Sequence, residues 1–173
     1  FGLIPADLWR YGGATLLTSF FLHAGIIHLL GNMYFFLLVG DNVEDYLGRL
    51  RFALLLLAAT VAGGLSHAFF DPRSDVPCIG ASGGISGLMA FYALTFPHSR
   101  LAFFGRVGGF FCGFRWVQMP AWGAFVFWVL FQMLGAGMQL MRTGEVSALA
   151  HLGGAAVGVL FWAWQRRPVP ASA

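Results

Sequence analysis

Two residue types that cooperate in nucleophilic catalysis occur in two separate apolar segments of this chain. Ser82 lies in the tetrapeptide Gly-Ala-Ser-Gly at 80–83, and His151 lies in Ala-His-Leu-Gly-Gly at 150–154. A serine hydroxyl becomes a good nucleophile when a base accepts its proton, and the ordinary pKa of histidine suits that task near neutral pH. The pair predicts a serine hydrolase, provided that the fold brings the two side chains together.

The serine motif occurs twice, because Gly-Ile-Ser-Gly follows at 84–87 and contains Ser86. Ser86 lies one helical turn beyond Ser82 on the same face, so spacing alone leaves both serines open as the nucleophile. The flanking glycines let helices approach closely and leave room for a substrate chain, but the same pattern is also common where membrane helices simply pack.

His28 and Asn32 are four residues apart, which places both side chains on one face of a helix. Two neighbouring donors aimed at one cavity suit the stabilisation of a developing oxyanion. A serine at the start of a helix adds its backbone N–H, which has no partner within the helix. The alternative is that His28 and Asn32 form structural hydrogen bonds between helices.

His151 has alternatives of its own, since a histidine in an apolar segment also serves as a structural donor, a proton carrier or a metal ligand. Metal binding is disfavoured because no Cys, Asp or Glu lies at a matching depth and the five-residue spacing of His23 and His28 fits one helix face poorly. We therefore expect no metal and no cofactor. Both His67 and His98 lie at the ends of apolar segments, and we assign them to the interface without a role.

The segments that must position these residues are membrane-spanning by composition. Hydrophobic residues make up 58% of the chain, charged residues only 10%, and 19 of the 173 residues are Phe. A helix needs roughly 20 apolar residues to cross the hydrocarbon. The charge-free runs predict an all-α polytopic membrane bundle in one domain, with an outer loop at 1–17 and five spans at approximately 18–40, 52–70, 80–98, 116–140 and 146–165.

The ten basic residues are all arginines, and basic residues near span ends prefer the cytoplasmic side. Seven fall inside and three outside if the first span ends inside. This arrangement puts Ser82 and His151 near the outer face and the C-terminus in the cytoplasm. The net charge of +3 is explained by topology, so no nucleic-acid partner is expected.

Three further expectations follow from this topology. The acidic stretch 41–48 forms a polar turn on the inner side, hydrated by water or headgroups, and its simplest role is that of a solvated helix end. The short Gly/Phe-rich run 107–114 lies at the interface or dips into the membrane. Cys78 and Cys112 fall on opposite sides, so they form no disulfide.

At this point the chain resembles the rhomboid family of intramembrane serine proteases over nearly its whole length. The resemblance lies in His-Ala-Gly-Ile-Ile-His-Leu-Leu-Gly-Asn at 23–32, in the first Gly-Ala-Ser-Gly and in Ala-His-Leu-Gly-Gly, which follow in the family's order. Segments 40–48 and 1–19 are similar to the family's inner loop and first outer loop. The three motifs together identify the family far better than any one alone.

The resemblance implies a Ser/His dyad without an acidic third member. Ser82 is then the nucleophile rather than Ser86, His151 is the general base, and His28, Asn32 and the Ser82 N–H hold the oxyanion. The implied substrates are single-span membrane proteins that enter from the lipid bilayer and are cut near the outer face. We expect an integral protein of a bacterial cytoplasmic membrane, of unspecified oligomeric state.

Two departures from the family pattern stand out. Rhomboids usually have a six-helix core whose first helix precedes the outer loop, so this sequence is either a fragment or lacks that span. Some members carry an aromatic residue at the position of Ser86, stacked beneath the catalytic histidine, so His151 needs other support here.

Two other classes of function compete with a protease. A catalytically silent rhomboid-like protein binds membrane helices without cutting them, and the intact Ser82 and His151 argue against it. A transporter or channel subunit predicts a continuous polar path across the bilayer, whereas the polar residues here concentrate towards one side.

Overall fold

The computed structural model describes residues 1–106, 114–141 and 147–165. Short 3₁₀ turns at Pro5–Asp7, Arg10–Gly13 and Ser19–Phe21 surround a single α-helical turn near the N-terminus. The helices are α1 (Thr15–Thr18), α2 (Ile26–Leu47), α3 (Arg49–Phe70), α4 (Ser82–Thr95), α5 (Ala121–Leu140) and α6 (Ala148–Gln165). Strands β1 (Arg100–Arg106) and β2 (Phe114–Pro120) form a hairpin between α4 and α5.

The polytopic helix bundle predicted from composition is confirmed. Within the described ranges, α2, α3, α5 and α6 are each long and apolar enough to cross a membrane. The predicted span at 80–98 is shorter than expected, because α4 has only 14 residues. Nine of those 14 residues are buried, which identifies α4 as the central helix of the bundle.

The helix ends differ from the predicted spans. The first span was expected to begin at residue 18, but Gly25 is fully extended and α2 begins at Ile26. The stretch 41–48 is the polar end of a helix and not a separate turn, because α2 continues to Leu47. Gly48 alone links α2 to α3, with a φ of 75° that favours glycine.

The segment expected to open the span at 116–140 also differs. Its first residues belong to β2, and α5 begins after Pro120. The two strands pair antiparallel from Arg100 opposite Pro120 to Arg106 opposite Phe114, so the bundle carries a small sheet that an all-α expectation did not include. Backbone pairing competes with the helix here, and apolar composition alone does not distinguish the two. Residues 107–113, which form most of the expected interfacial loop, lie outside the described residues. Cys112 is among them, so the expectation about a disulfide with Cys78 stays a prediction.

The N-terminal segment packs over the end of the bundle where α4 begins. Leu3, only 1% exposed, forms an isolated antiparallel bridge with Cys78. Farther along, the Gly80 N–H donates to the carbonyl of Ser19 at 2.9 Å. These bonds hold the residues before Ser82 against the outer loop and so fix where α4 starts.

The main apolar core lies away from this end, between α2, α3 and α4. Its largest fully buried side chains include Phe91, Leu55, Leu88, Val39 and Val43. The polar residues predicted to carry chemistry therefore lie near one end of a bundle whose other end is packed by apolar side chains.

Candidate active site

Ser82 and His151 meet across the interface of α4 and α6. The Ser82 Oγ lies 2.7 Å from the His151 Nε2, although 69 residues separate them in the chain. That distance falls within the range needed for proton transfer from a nucleophile to its base. Both side chains are partly buried, so the contact is sheltered but not sealed.

Glycines let the two backbones come this close. A Cβ added at Gly154 would collide with the carbonyl oxygen of Gly83, and one added at Gly158 would collide with that of Gly87. Gly154 and Gly158 thus lie at a close helix contact, and α4 presents a matching glycine pair, Gly83 and Gly87. Gly63 of α3 completes the packing, since a Cβ there would lie 2.7 Å from the Ala150 carbonyl oxygen. We call these five glycines the glycine seam.

Ser86 occupies a different environment from Ser82. It is only 2% exposed, and its hydroxyl donates to the Ser82 carbonyl oxygen at 2.6 Å. This back-bonding to the residue four positions earlier is a common fate of serine in membrane helices. The geometry thus favours Ser82 as the nucleophile, because Ser82 is the serine whose hydroxyl contacts the histidine.

His28 and Asn32 lie beside the segment that leads into Ser82. A Cβ added at Gly80 would lie 2.9 Å from His28 Nε2 and 3.8 Å from Asn32 Nδ2. Gly80 also has a φ of 120°, so both its conformation and its neighbours require glycine. The structure therefore places these two donors beside Gly80, which precedes Ser82 by two residues.

The hydrogen bonds of His28 and Asn32 leave donors available. The Ala24 N–H donates to His28 Nδ1 at 3.3 Å, so a neutral His28 carries its proton on Nε2, the atom beside Gly80. Asn32 Nδ2 donates one hydrogen to the His28 carbonyl at 2.9 Å, and an amide nitrogen has a second. Both residues present N–H groups of the kind that an oxyanion requires.

The start of α4 supplies a third donor. Ser82 is the first residue of the helix, so its backbone N–H has no acceptor within the helix. The positive end of the helix dipole also lies there. The hydroxyl, the free N–H and the dipole are therefore placed together by the single fact that the helix begins at Ser82.

Helix α5 contributes two contacts to His151 that sequence reasoning missed. Gln132 Oε1 lies 2.8 Å from His151 Nδ1, and the Trp128 ring centroid lies 6.2 Å from that of His151. The missed signal was Gln132 itself, because an amide within a membrane span is costly without a partner. These contacts supply support for His151 that Ser86 does not.

His67 is placed differently from the interfacial position that we expected. It is only 8% exposed, and its Nδ1 lies 2.7 Å from Ser147 Oγ and 3.0 Å from Gln139 Nε2. Gln139 also accepts a hydrogen bond from the Leu149 N–H through Oε1. His67 is thus a junction between α3, the end of α5 and the start of α6.

Cys78, near the same end of the bundle, is a poor nucleophile. Burial raises the pKa of its thiol, against a smaller opposite effect of a hydrogen bond with Ser147. A thiol kept protonated is unreactive. The Ser82 hydroxyl, by contrast, lies against the imidazole of His151.

Comparison with known proteins agrees with this architecture. Residues 5–167 match the Rhomboid domain family. The chain is 32% identical over 166 residues to Rhomboid-related protein 1 of Caenorhabditis elegans, covering 91% of this chain and 40% of that protein. It is 33% identical over 163 residues to human Rhomboid-related protein 3, covering 90% of this chain and 36% of the relative.

The fold and these matches define a polytopic, integral membrane protein with a serine and a histidine in contact. The chain belongs to the rhomboid family. It is also 37% identical over 106 residues to Rhomboid protease GluP of Bacillus subtilis, covering 61% of this chain and 19% of that protein. The chain spans well under half the length of these curated relatives.

Proposed function

We propose that this chain carries the catalytic core of an intramembrane serine endopeptidase that cuts membrane-spanning segments near the outer membrane face. The observation that carries the proposal is the 2.7 Å contact between Ser82 Oγ and His151 Nε2. Membership of a family that includes Rhomboid protease GluP supports it.

The proposed reaction follows serine-protease chemistry. His151 Nε2 accepts the proton of Ser82 Oγ–H as the oxygen attacks the scissile carbonyl. The oxyanion is held by the Ser82 N–H, His28 and Asn32. His151 then gives the proton to the leaving amine, and water attacks the acyl-enzyme to release the second product.

The location of the site supports a substrate that spans the membrane. The serine and histidine belong to helices of a membrane bundle, and a substrate that spans the same membrane lies at a matching depth. A helix that unwinds near its outer end exposes one carbonyl to Ser82. Because most of the arginines fall inside in this orientation, we place the C-terminus on the inner side. A bacterial cytoplasmic membrane is our proposed location, which the similarity to the Bacillus subtilis relative supports.

The test is cleavage of a single-span substrate by the full-length protein in liposomes, with Ser82→Ala and Ser86→Ala compared. We expect Ser82→Ala to abolish cleavage, while Ser86→Ala keeps most of it because Ser86 bonds only to a backbone carbonyl. A fluorophosphonate, which forms a covalent bond with an activated serine, is expected to label Ser82 in the unmodified protein and not in Ser82→Ala.

Two outcomes contradict this proposal. Loss of cleavage and labelling in Ser86→Ala alone would assign the nucleophile to the other serine motif. No cleavage and no labelling of a folded protein, together with retained binding of a membrane-spanning peptide, would identify a catalytically silent helix-binding protein instead.

A further inference from the structure

Helix α5 is an apolar helix with a narrow polar face. Only three of its 20 residues are buried, and Gln132 is one of them. Gln132 is 6% exposed, whereas its neighbours Phe131 and Met133 are 65% and 60% exposed. The polar side chain therefore points into the bundle from a helix that otherwise faces outward.

We propose that Gln132 is a positioning residue that holds His151 in the tautomer needed for catalysis. This inference rests on the proposed function, since it concerns how the base of that reaction is prepared. Gln132, on α5, thereby joins Ser82 of α4 and His151 of α6. Gln132 acts through the imidazole and not on the substrate.

The hydrogen-bond geometry defines which tautomer is held. An amide oxygen only accepts, so the 2.8 Å contact with Gln132 Oε1 requires a hydrogen on His151 Nδ1. A neutral imidazole has one ring hydrogen, so Nε2 is left with a lone pair facing Ser82 Oγ at 2.7 Å. Without Gln132, the other tautomer becomes accessible, and its Nε2–H cannot accept the serine proton.

Trp128 lies beside the His151 ring and belongs to the same face of α5 as Gln132. It precedes Gln132 by one helical turn, and its ring lies at 37° to the His151 ring. Trp128 also lines a cavity of about 400 Å³ among α2, α4, α5 and the hairpin. The imidazole is therefore contacted through its edge by Gln132 and beside its ring by Trp128.

A second glutamine on α5 provides a matched comparison. Gln139 lies two turns beyond Gln132 and also contacts a histidine, but that histidine is His67. Both residues attach α5 to the bundle, and only Gln132 contacts the proposed base. Loss of Gln139 thus tests what attachment alone contributes.

The experiment compares Gln132→Met, Gln132→Glu and Gln139→Met in the full-length protein. Methionine keeps the length of the side chain without an acceptor for the Nδ1 hydrogen, while glutamate keeps an acceptor. Two readouts are measured: kcat and KM for a single-span substrate in liposomes, and the ring ¹⁵N chemical shifts of His151, which distinguish the tautomers.

We expect Gln132→Met to lower kcat about 10-fold with little change in KM, since one hydrogen bond of ordinary strength is lost. The ¹⁵N shifts should change from the Nδ1–H form to a mixture. Gln132→Glu should restore most of the rate and the Nδ1–H form. Gln139→Met should leave the His151 tautomer unchanged.

The inference is overturned if Gln132→Met keeps the Nδ1–H tautomer, or if Gln139→Met lowers kcat as much as Gln132→Met does. The ¹⁵N shifts do not depend on turnover. If the unmodified protein cuts no substrate, the proposed function fails, and the tautomer of His151 still decides whether Gln132 positions the ring.

Discussion

The glycine seam and helix α5 reach His151 from two sides and are built in contrasting ways. At the seam, backbones of α4 and α6 touch directly, with carbonyl oxygens where side chains would otherwise be. Helix α5 reaches the two histidines through the side chains of Gln132 and Gln139, and it packs on α6 through the small residues Gly135 and Ala136. Nine of the 14 residues of α4 are buried, against three of the 20 of α5.

The difference separates two requirements of catalysis. The distance between Ser82 and His151 is determined by backbone packing, which has little freedom to adjust. The proton position on His151 depends on one hydrogen bond from a more exposed helix. A change at the seam should therefore affect structure and chemistry together, whereas a change on α5 should affect chemistry with less effect on structure.

The largest effect is expected for Gly154→Ala. The added methyl group collides with the Gly83 carbonyl, so α4 and α6 must separate. Overpacking of this kind costs about 1 to 3 kcal/mol of stability, and a displacement of about 1 Å at the dyad costs about 100-fold in rate. Thermal unfolding in detergent and cleavage in liposomes measure both.

Gly137→Ala is the control for that change. A Cβ at Gly137, within α5, has no atom within 4 Å, so we expect unchanged stability and cleavage. Equal damage from both alanines would mean that the seam is no more tightly packed than α5, and the comparison would fail.

An intermediate effect is expected for Gln139→Met. The substitution removes the contacts with His67 and the Leu149 N–H, so stability should fall by about 1 kcal/mol. Hydrogen exchange at the end of α5 should increase, because its attachment to α3 and α6 is weakened. Leu140→Ala is the matched control, because Leu140 is an exposed side chain at the same end of α5.

The smallest effect is expected for Leu134→Ala on the outward face of α5. Leu134 is 64% exposed, and substitutions at such sites usually change stability by less than about 0.5 kcal/mol. Thermal unfolding and cleavage should match those of the unmodified protein. A large loss would show that this face packs against another membrane helix.

The sequence predicted the membrane bundle and the four residues proposed for the site, because both depend on local features. Apolar runs of sufficient length indicate spans, and serine, histidine and asparagine within them are conspicuous. The ends of the helices were predicted less well. The extended Gly25 and the pairing of residues 116–120 into β2 are not visible in hydropathy. The strand depends on backbone pairing with residues 100–104, which composition does not reveal.

Gln132 and His67 show what only the tertiary structure decided. Each is a polar residue in an apolar run, and the sequence indicates that such a residue needs a partner without saying which. The partner depends on how each helix is rotated and how closely it approaches its neighbours. At the seam the glycines determine that approach; on α5 the small residues Gly135 and Ala136 allow close contact with α6, and the two glutamines reach the histidines. The residues available for chemistry were thus determined by the sequence alone, whereas the contacts that orient them arose from helix packing across the bundle.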